Sequence, residues 1–263
     1  WRLTTTGTIT FGTSAITFES APPVLGGELS TVATLAALKA LTGMSDGQVV
    51  YMTSYYAAAT PDGGGGPLKY DATSTATDNG GTVIRPDSAP ASGRWRALGD
   101  DIYNVRRWGA KGDASTDDKA AIQAAIDALP SEGGLIHLPA SATAYRIASG
   151  LTLGRRDGIT GEGRTSASGS SARGASTILK DGNFDGITLS SYECVLRDFQ
   201  VDGASGNGGD GIYVRFGNAH LESLAVTGHG GVGIRVGDKT AASGNANGCE
   251  LSDIRAVGNT SHG

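Results

Sequence analysis

The chain has 263 residues and carries 21 lysines and arginines against 26 aspartates and glutamates, a formal net charge of −5 at pH 7. This mild acidity argues against nucleic acid or an anionic membrane as the main partner, and the sequence contains no run of about 18 apolar residues that could span a bilayer. The 42 glycines follow no three-residue period, which excludes collagen, and with only 5 Phe, 8 Tyr and 3 Trp the core must consist mainly of Ile, Leu, Val and Ala.

The first 100 residues predict short strands and one helix. Alternating apolar residues over 1–20 predict a small hairpin, and the Pro- and Gly-containing stretch that follows predicts a linker. Leu35, Leu38 and Leu41 recur at helical spacing, with Ser30 or Thr31 as the cap. The strands predicted in this part lie at 48–58, 68–72, 82–86 and 93–98.

A helix with an acidic entry follows, in the stretch VRRWGAKGDASTDDKAAIQAAIDAL at 105–129. Ser115 or Thr116 can cap its first free N–H groups, and Asp117 and Asp118 fall in the first turn, where the helix dipole favours negative charge. A calcium loop would need a different spacing of oxygen ligands. The histidines also lack the spacing of zinc ligands, so neither a metal nor a cofactor is expected.

The second half contains an internal repeat. LRDFQVDG at 196–203, LESLAVTG at 221–228 and LSDIRAVG at 251–258 share one pattern, and GITL, GIYV and GIRV form a second aligned column. The first two copies are 25 residues apart. Such a period, with three short strands in each copy, predicts a β-solenoid in which stacked copies bury each other's apolar face. We call one copy a rung.

Strand alternation assigns a direction to each side chain of a rung. The residues predicted to point inward are Ile187, Leu189, Leu196, Phe199 and Val201. Those predicted to point outward are Thr188, Val195, Arg197, Gln200 and Asp202 in one rung and Tyr213, His220, Glu222, Ala225 and Thr227 in the next. Cys194 and Cys249 occupy the same place two rungs apart, roughly 9–10 Å at about 4.8 Å per strand. That separation exceeds disulfide reach and predicts two buried free thiols.

Outward side chains supply the candidate site. The acids considered for catalysis are Asp202, Glu222 and Glu250. A glycoside hydrolase needs two carboxyls about 5–10 Å apart across a cleft; Glu222 and Glu250 lie in neighbouring rungs and can pair, as can His220 and Glu250. Tyr213 and Arg215 face outward together, a combination suited to a sugar ring and an acidic group, and His220 is the third candidate for glycan binding. Surface charges on a solenoid more often only interact with water, and that alternative stays open.

Two parts of the chain resemble known families. The segment VRRWGAKGDASTDDKAAIQAAIDALPSEGGLIHLPA resembles the entry of pectate-lyase-like right-handed parallel β-helices, with Trp108 and Ala114 where that family usually has Phe and Gly. The segments LKALTGMSDGQVVYMTSYY, GGGGPLKYDATSTATDNGGTVIRP and GRWRAL resemble the domain that precedes such β-helices in tailed-phage tailspikes and tail fibres.

The resemblance implies a mainly β homotrimer with three parts. Residues 1–25 would be a particle-attachment hairpin and linker, 26–100 a small β-rich virion-proximal domain, and 101–263 the start of the β-helix with the helix at about 116–129 as its N-terminal cap. Because the repeat stops soon after three copies, the chain is expected to be the N-terminal portion of a longer protein.

The function implied is that of a virion tail appendage outside the cell. Its partners would be phage tail or adaptor proteins at the N-terminus and host surface polysaccharide on the β-helix, with no nucleic acid and no membrane insertion. Catalysis by residues 1–263 is not expected. The alternative is a polysaccharide depolymerase, a lyase or glycoside hydrolase with its active site on this β-helix; a third hypothesis, a secreted bacterial pectinase, is disfavoured by residues 1–100.

Overall fold

The computed structural model describes residues 2–3, 18–19, 30–57, 60–88, 91–99, 102–165, 175–204, 207–237, 239 and 246–261. Strands β1 (Arg2–Leu3) and β2 (Phe18–Glu19) pair in antiparallel fashion. The remainder of the predicted attachment segment 1–25 lies outside the described residues.

The N-terminal part forms a five-stranded sheet beside one short helix. Its elements are β3 (Ser30–Val32), α1 (Leu35–Lys39), β4 (Val49–Met52), β5 (Gly66–Asp71), β6 (Val83–Ile84) and β7 (Arg94–Ala97), and the strand order is β3-β4-β5-β7-β6. The predicted helix cap is wrong by three to four residues: Ser30 and Thr31 belong to β3, and the Thr34 side chain accepts the bond from Ala37 N. Leu38, Val50, Leu68 and Trp95 form the fully buried centre of this sheet.

A parallel β-helix follows. Its elements are β8 (Ile102–Asn104), a 3-10 helix (Val105–Trp108), α2 (Lys119–Asp127), β9 (Gly134–Leu138), β10 (Tyr145–Ile147), β11 (Leu151–Leu153), β12 (Asp157–Gly161), β13 (Thr177–Lys180), β14 (Ile187–Leu189), β15 (Val195–Asp202), β16 (Ile212–Val214), β17 (His220–Thr227), β18 (Ile234–Val236) and β19 (Glu250–Val257). One sheet stacks β11-β14-β16-β18, and the other stacks the long strands β15, β17 and β19, all in parallel.

The predicted register of the repeat is confirmed. On the long strands, Leu196 is the register partner of Leu221, and Leu221 that of Leu251. On the short strands, Ile187 pairs with Ile212, and Ile212 with Ile234. Each long strand bends where a residue adopts positive φ, namely Asp198 (62°), Ser223 (51°) and Asp253 (50°). The bend divides one eight-residue strand into two straight pieces, which is why the sequence pattern resembles three strands in each rung.

The inward side chains are those that alternation predicts. Ile187, Leu189, Leu196, Phe199 and Val201 are all 0% exposed, within one core that runs from Val105 to Val226. Stacking of like apolar residues removes each one from water on both sides, which is the driving force for adding rungs.

Several residues predicted to face solvent are buried instead. Gln200, Asp202, Tyr213, Ala225 and Thr227 are between 0% and 8% exposed. Alternation correctly excludes them from the central core, but other parts of the protein cover them. Thr165 donates a hydrogen bond to Gln200 Oε1 (2.7 Å), and Gln200 Nε2 donates to Thr227 Oγ1 (3.1 Å) on the next rung.

Both cysteines are free thiols, as predicted, and they occupy equivalent positions two rungs apart. Cys194 is fully buried, and its burial raises the thiol pKa to about 12. Cys249 is only half-buried, which corrects the prediction of two buried thiols. It lies just before β19, whose outer edge has no further strand among the described residues.

The aspartates before α2 do not act as predicted. The helix begins at Lys119, so Asp117 and Asp118 precede its first turn. Asp117 Oδ1 accepts from Lys119 N (3.1 Å), whereas the buried Asp118 carboxylate turns back to accept from Lys111 N (2.7 Å) and Gly112 N (2.9 Å). The residue at the N-cap is Asp118, so neither Ser115 nor Thr116 caps the helix. Their backbone N–H groups donate instead to Asp113.

The two parts of the chain meet at the 3-10 helix. Arg106 donates to the carbonyl of Asp62 (2.9 Å) and, on its other side, to Tyr145 Oη (3.1 Å) in the β-helix. Trp108 belongs to the β-helix core and packs on Gly81 of the N-terminal sheet. Neither α1 nor α2, the α-helices of the described residues, has the length and apolarity of a membrane span.

Candidate functional site

The predicted column of titratable side chains is present at the start of β17 and β19. His220 is the register partner of Glu250, and its Nδ1 lies 3.0 Å from Glu250 Oε2. The other ring nitrogen, Nε2, lies 3.5 Å from Glu222 Oε2. The three residues therefore form one cluster, the acidic column, in which an imidazole separates two carboxylates.

The acidic column is exposed. Side-chain exposure is 42% for His220, 50% for Glu222 and 76% for Glu250. Exposed pairs of this kind contribute about 0–1 kcal/mol to stability, so the fold does not require them. An imidazole beside a carboxylate is nevertheless suited to proton transfer, because the carboxylate orients the ring.

Asp202 does not join the acidic column. Its register partner on β17 is Thr227. Thr227 is five residues after Glu222, a separation of about 16 Å along the strand. It is buried, which raises the pKa of its carboxyl, and it accepts a bond from Ala204 N (3.2 Å). The prediction that Asp202 is an outward acid is therefore wrong, because its neighbours exclude solvent from it.

Tyr213 and Arg215, predicted to face outward together, differ in exposure. Tyr213 is only 8% exposed, because its hydroxyl accepts a bond from Lys239 N (3.3 Å) and the Lys239 ammonium lies 4.8 Å from the centre of its ring. Arg215 remains exposed and lies 5.8 Å from the ring of Phe216. Tyr213 offers no free face to a sugar, whereas Arg215 stays accessible.

A charged ladder that was not predicted from the sequence lies beside β14, β16 and β18. Asp210 is 2% exposed and receives bonds from Arg235 Nε (2.6 Å) and Val232 N (2.9 Å). Lys239 Nζ lies 3.0 Å from Asp210 Oδ2 and 2.7 Å from Asp185 Oδ1, which joins two rungs. Burial alone would raise the pKa of Asp210, but the hydrogen bonds from Arg235 and Val232 outweigh it and lower the pKa.

A signal for this ladder exists in the sequence. The tripeptide Asp-Gly-Ile occurs at 185–187 and again at 210–212, so the two aspartates stack one rung apart. Because Arg235 and Lys239 satisfy Asp210 and Asp185, the ladder is a structural clamp between rungs.

Two further polar side chains are buried behind the ladder. The Lys180 ammonium donates to the carbonyls of Gly182 (2.9 Å), Asn207 (3.1 Å) and Gly208 (2.6 Å), which fastens neighbouring turns. His229 is 0% exposed, and burial lowers its pKa to about 4. Over the described part of the chain, no cluster of three or more His, Cys, Asp or Glu side chains is arranged to hold a metal ion.

Two family models match the chain in succession. Residues 31–100 match the phage tail protein small four-stranded β-sheet domain, and residues 102–194 match the rhamnogalacturonase A/epimerase, pectate-lyase-like family. Among curated proteins, alginate lyase 7 and the mannuronan C5-epimerase AlgE5 of Azotobacter vinelandii are each 53% identical over 49 residues, which is 18% of this chain. The chain spans only 6% and 5% of the length of these two relatives.

Three solved structures share the fold. The tailspike protein of Acinetobacter phage vB_ApiP_P1 has a TM-score of 0.56 at 24% identity and matches 87% of this chain and 38% of its own. The tailspike gp49 of Acinetobacter baumannii bacteriophage Fri1, a capsular polysaccharide depolymerase, has a TM-score of 0.54 at 18% identity over 78% of this chain and 44% of its own. Pantoea stewartii WceF, a glycan biofilm modifying enzyme, has a TM-score of 0.56 at 17% identity over 89% of this chain and 38% of its own.

These matches agree with the two segments that the sequence separates at about residue 100. Because the structural neighbours are below 25% identity, they establish the architecture, while the family models characterise each segment. The chain therefore joins a segment that matches the phage-tail small β-sheet family to a parallel β-helix whose first part matches the pectate-lyase-like family, and it shares its fold with phage tailspike proteins.

Proposed function

We propose that this chain is the virion-proximal part of a phage tailspike or tail fibre. It attaches the appendage to the tail and supports a β-helix that binds host surface polysaccharide. The observation that carries the proposal is the junction of the two segments, where Arg106 and Trp108 fasten a phage-tail β-sheet directly to the first strands of the β-helix.

The proposal includes a division of the chain into three parts, 1–25 for attachment, 26–100 as the virion-proximal domain and 101–263 as the β-helix. Helix α2 is the N-terminal cap of that β-helix. Support comes from its buried face, since Ile122, Ala125 and Ile126 belong to the same core as the first strands. Without the helix, the open end of the solenoid would leave the apolar side chains of its first strands in water.

The appendage is a homotrimer located on the virion, and its N-terminal partners are tail or adaptor proteins. Light scattering of the full-length protein tests the oligomeric state, and a monomer contradicts it. Deletion of residues 1–20, most of the 1–25 attachment segment, from the phage gene tests attachment: we expect particles that lack the appendage. Particles that still carry it would refute the attachment function.

Host surface polysaccharide is the proposed ligand of the β-helix. Support comes from two structural neighbours described as a capsular polysaccharide depolymerase and a glycan biofilm modifying enzyme. Incubation of the purified full-length protein with host capsule or O-antigen should show retention of the glycan, whereas the isolated segment 26–100 should not retain it.

The second candidate is a depolymerase whose active site lies on these rungs. The acidic column favours it, because His220 contacts one carboxylate from each of two adjacent strands. The test is the appearance of new reducing ends or unsaturated uronates when residues 1–263 are mixed with host polysaccharide. Activity that is abolished by Glu250→Gln and unchanged in Asp181→Asn, an acid on another face that pairs with Arg146, would establish this enzyme. The absence of products would leave the structural and binding function.

A further inference from the structure

A buried ammonium group joins two neighbouring rungs at the turns that follow β13 and β15. Lys180, the last residue of β13, is 0% exposed. Its Nζ donates to three backbone carbonyl oxygens, those of Gly182 (2.9 Å), Asn207 (3.1 Å) and Gly208 (2.6 Å). It also lies 5.2 Å from the ring centre of Phe184. We call the three carbonyls and this ring the carbonyl nest.

The carbonyl nest matches the chemistry of a primary ammonium group. Such a group has three N–H donors and no acceptor, and the nest supplies one oxygen to each donor. The aromatic ring adds the electrostatic attraction of its face for a cation. Because burial of a charge is costly unless its hydrogen bonds are made, the complete set of three acceptors is what keeps a charged amine stable here.

The positive charge of Lys180 is held by the carbonyls rather than by a carboxylate in contact. Among the described residues, no acid lies within ion-pair distance of Lys180. Burial lowers the pKa of Lys180, and Asp185 and Asp210 oppose this shift from a greater distance. Those two acids already have two cationic partners of their own, Lys239 and Arg235.

The repeat itself does not require a lysine at this position. Leu179 is the register partner of Asp202, so the residue equivalent to Lys180 in the next rung is Gly203. In the rung after that, the equivalent residue is Gly228. Lys180 is therefore an addition to the repeat, and its charged end contacts the turns instead of the stacked strands.

We propose that the carbonyl nest is a binding site for a primary ammonium ion and that Lys180 is its built-in occupant. When the lysine side chain is removed, the nest binds a monovalent alkylammonium ion from solution. Divalent cations fit poorly, because Mg²⁺ and Ca²⁺ need oxygen ligands at about 2.0–2.6 Å, commonly with carboxylates among them. The nest instead offers neutral carbonyls at 2.6–3.1 Å from the cationic nitrogen.

This inference is independent of the proposed attachment and glycan-binding function. It makes the stacking of two rungs dependent on a cation that the chain supplies itself. The alternative is that Lys180 acts only as a hydrogen-bond donor, in which case a neutral donor would serve equally well. Charge and hydrogen bonding can be separated experimentally.

The test is the rescue of Lys180→Ala by n-propylammonium, which has the three carbons and the ammonium group that the substitution removes. In the full-length protein, Lys180→Ala should lower the melting temperature by roughly 5–10 °C. Propylammonium chloride should raise it again in a saturable manner, because a ligand that binds only the folded state stabilises that state. If the variant does not fold in buffer, the yield of refolding with and without propylammonium gives the same readout.

Controls separate charge, shape and salt. Propan-1-ol has a similar shape without the charge and should not rescue Lys180→Ala, nor should sodium chloride at the same ionic strength. The parent protein should gain no stability from propylammonium, because its nest is occupied. Lys180→Gln, which keeps a neutral donor, should remain less stable than the parent. Lys69→Ala removes an exposed lysine of β5 and should show neither loss nor rescue.

Calorimetry gives a direct readout of the same site. Propylammonium should bind Lys180→Ala with one-to-one stoichiometry and should not bind the parent. Absence of both binding and rescue would overturn the inference. Equal rescue by propan-1-ol would show that the site only needs its volume filled, and a Lys180→Gln variant as stable as the parent would show that a neutral donor suffices. Either result would also overturn it.

Discussion

Trp108 and Gly81 are in contact across the junction of the two segments. A Cβ atom added to Gly81 would lie 2.3 Å from Cε2 of the Trp108 indole, well inside van der Waals distance. The absence of a side chain at Gly81 is thus what lets the N-terminal sheet approach the β-helix core. Close packing therefore contributes to the junction alongside the hydrogen bonds of Arg106.

Gly81→Ala should destabilise the protein by about 1–3 kcal/mol, the usual cost of overpacking. The backbone of Gly81 does not need positive φ, so the cost comes from the indole alone. Chemical denaturation measures it. In a Trp108→Leu background the same substitution should cost much less; an unchanged cost there would mean that the junction does not depend on this contact.

Asp118→Asn should destabilise the protein by about 1–3 kcal/mol. The buried carboxylate accepts bonds from two backbone N–H groups, and an amide can match only one of them without turning its own N–H₂ toward a donor. Asp127→Asn is the matched control on the exposed surface of α2 and should stay within about 0.5 kcal/mol of the parent. Equal effects of the two substitutions, measured by urea denaturation, would contradict this.

His229 should make the fold sensitive to acid. Its folded-state pKa of about 4 lies below the ordinary 6.5, because the ring is buried; the ammonium of Lys180 adds to this, while Asp210 and the Val201 carbonyl act in the opposite direction. Between those two values the unfolded chain binds more protons, so stability is fully present above pH 6.5 and is lost as pH falls toward 4.

The size of the effect follows from the same pKa values. Between pH 7 and pH 5, His229 should reduce the free energy of unfolding by about 2 kcal/mol. Denaturation curves at both pH values should show this loss in the parent and in His137→Gln, a half-exposed histidine paired with Glu162. The loss should be absent from His229→Leu, and the same pH slope in that variant would sink the prediction.

The two thiols should differ in reactivity. Burial and the nearby Asp157 raise the pKa of Cys194 to about 12, so little reactive thiolate forms, whereas Cys249 is half-buried. Maleimide labelling of the native protein, followed by mass spectrometry, should modify Cys249 first. Both thiols should react once the protein is unfolded in the absence of a reductant. If either thiol fails to react in the unfolded protein, a disulfide is present and the register is contradicted.

The repeat was predictable because its information is local. Inward residues such as Leu196 and Val201 alternate along an extended strand, and stacking in register requires apolar residues at equivalent positions of each rung. The equivalence of Cys194, Ala219 and Cys249 follows from the same pattern. These predictions needed no knowledge of which loops lie over the sheet.

The candidate site was only partly predictable. The pairing of His220 with Glu250 is confirmed, because both belong to the repeat and therefore share a column. The expected solvent exposure of Asp202 and Tyr213 is wrong, since both are buried although they lie outside the central core. Lys239, distant in sequence, covers Tyr213. Sequence alternation distinguishes the core from the outer face, but it cannot tell whether that outer face meets water.

The sequence by itself determined the solenoid, its register, the inward side chains and the absence of a disulfide, because all of these depend on periodicity and on the spacing of parallel strands. Only the tertiary structure decided which polar groups are exposed, how Asp118 turns back to close the loop before α2, and how Trp108 meets Gly81. Those features depend on contacts between segments far apart in the chain, and no local pattern encodes such contacts.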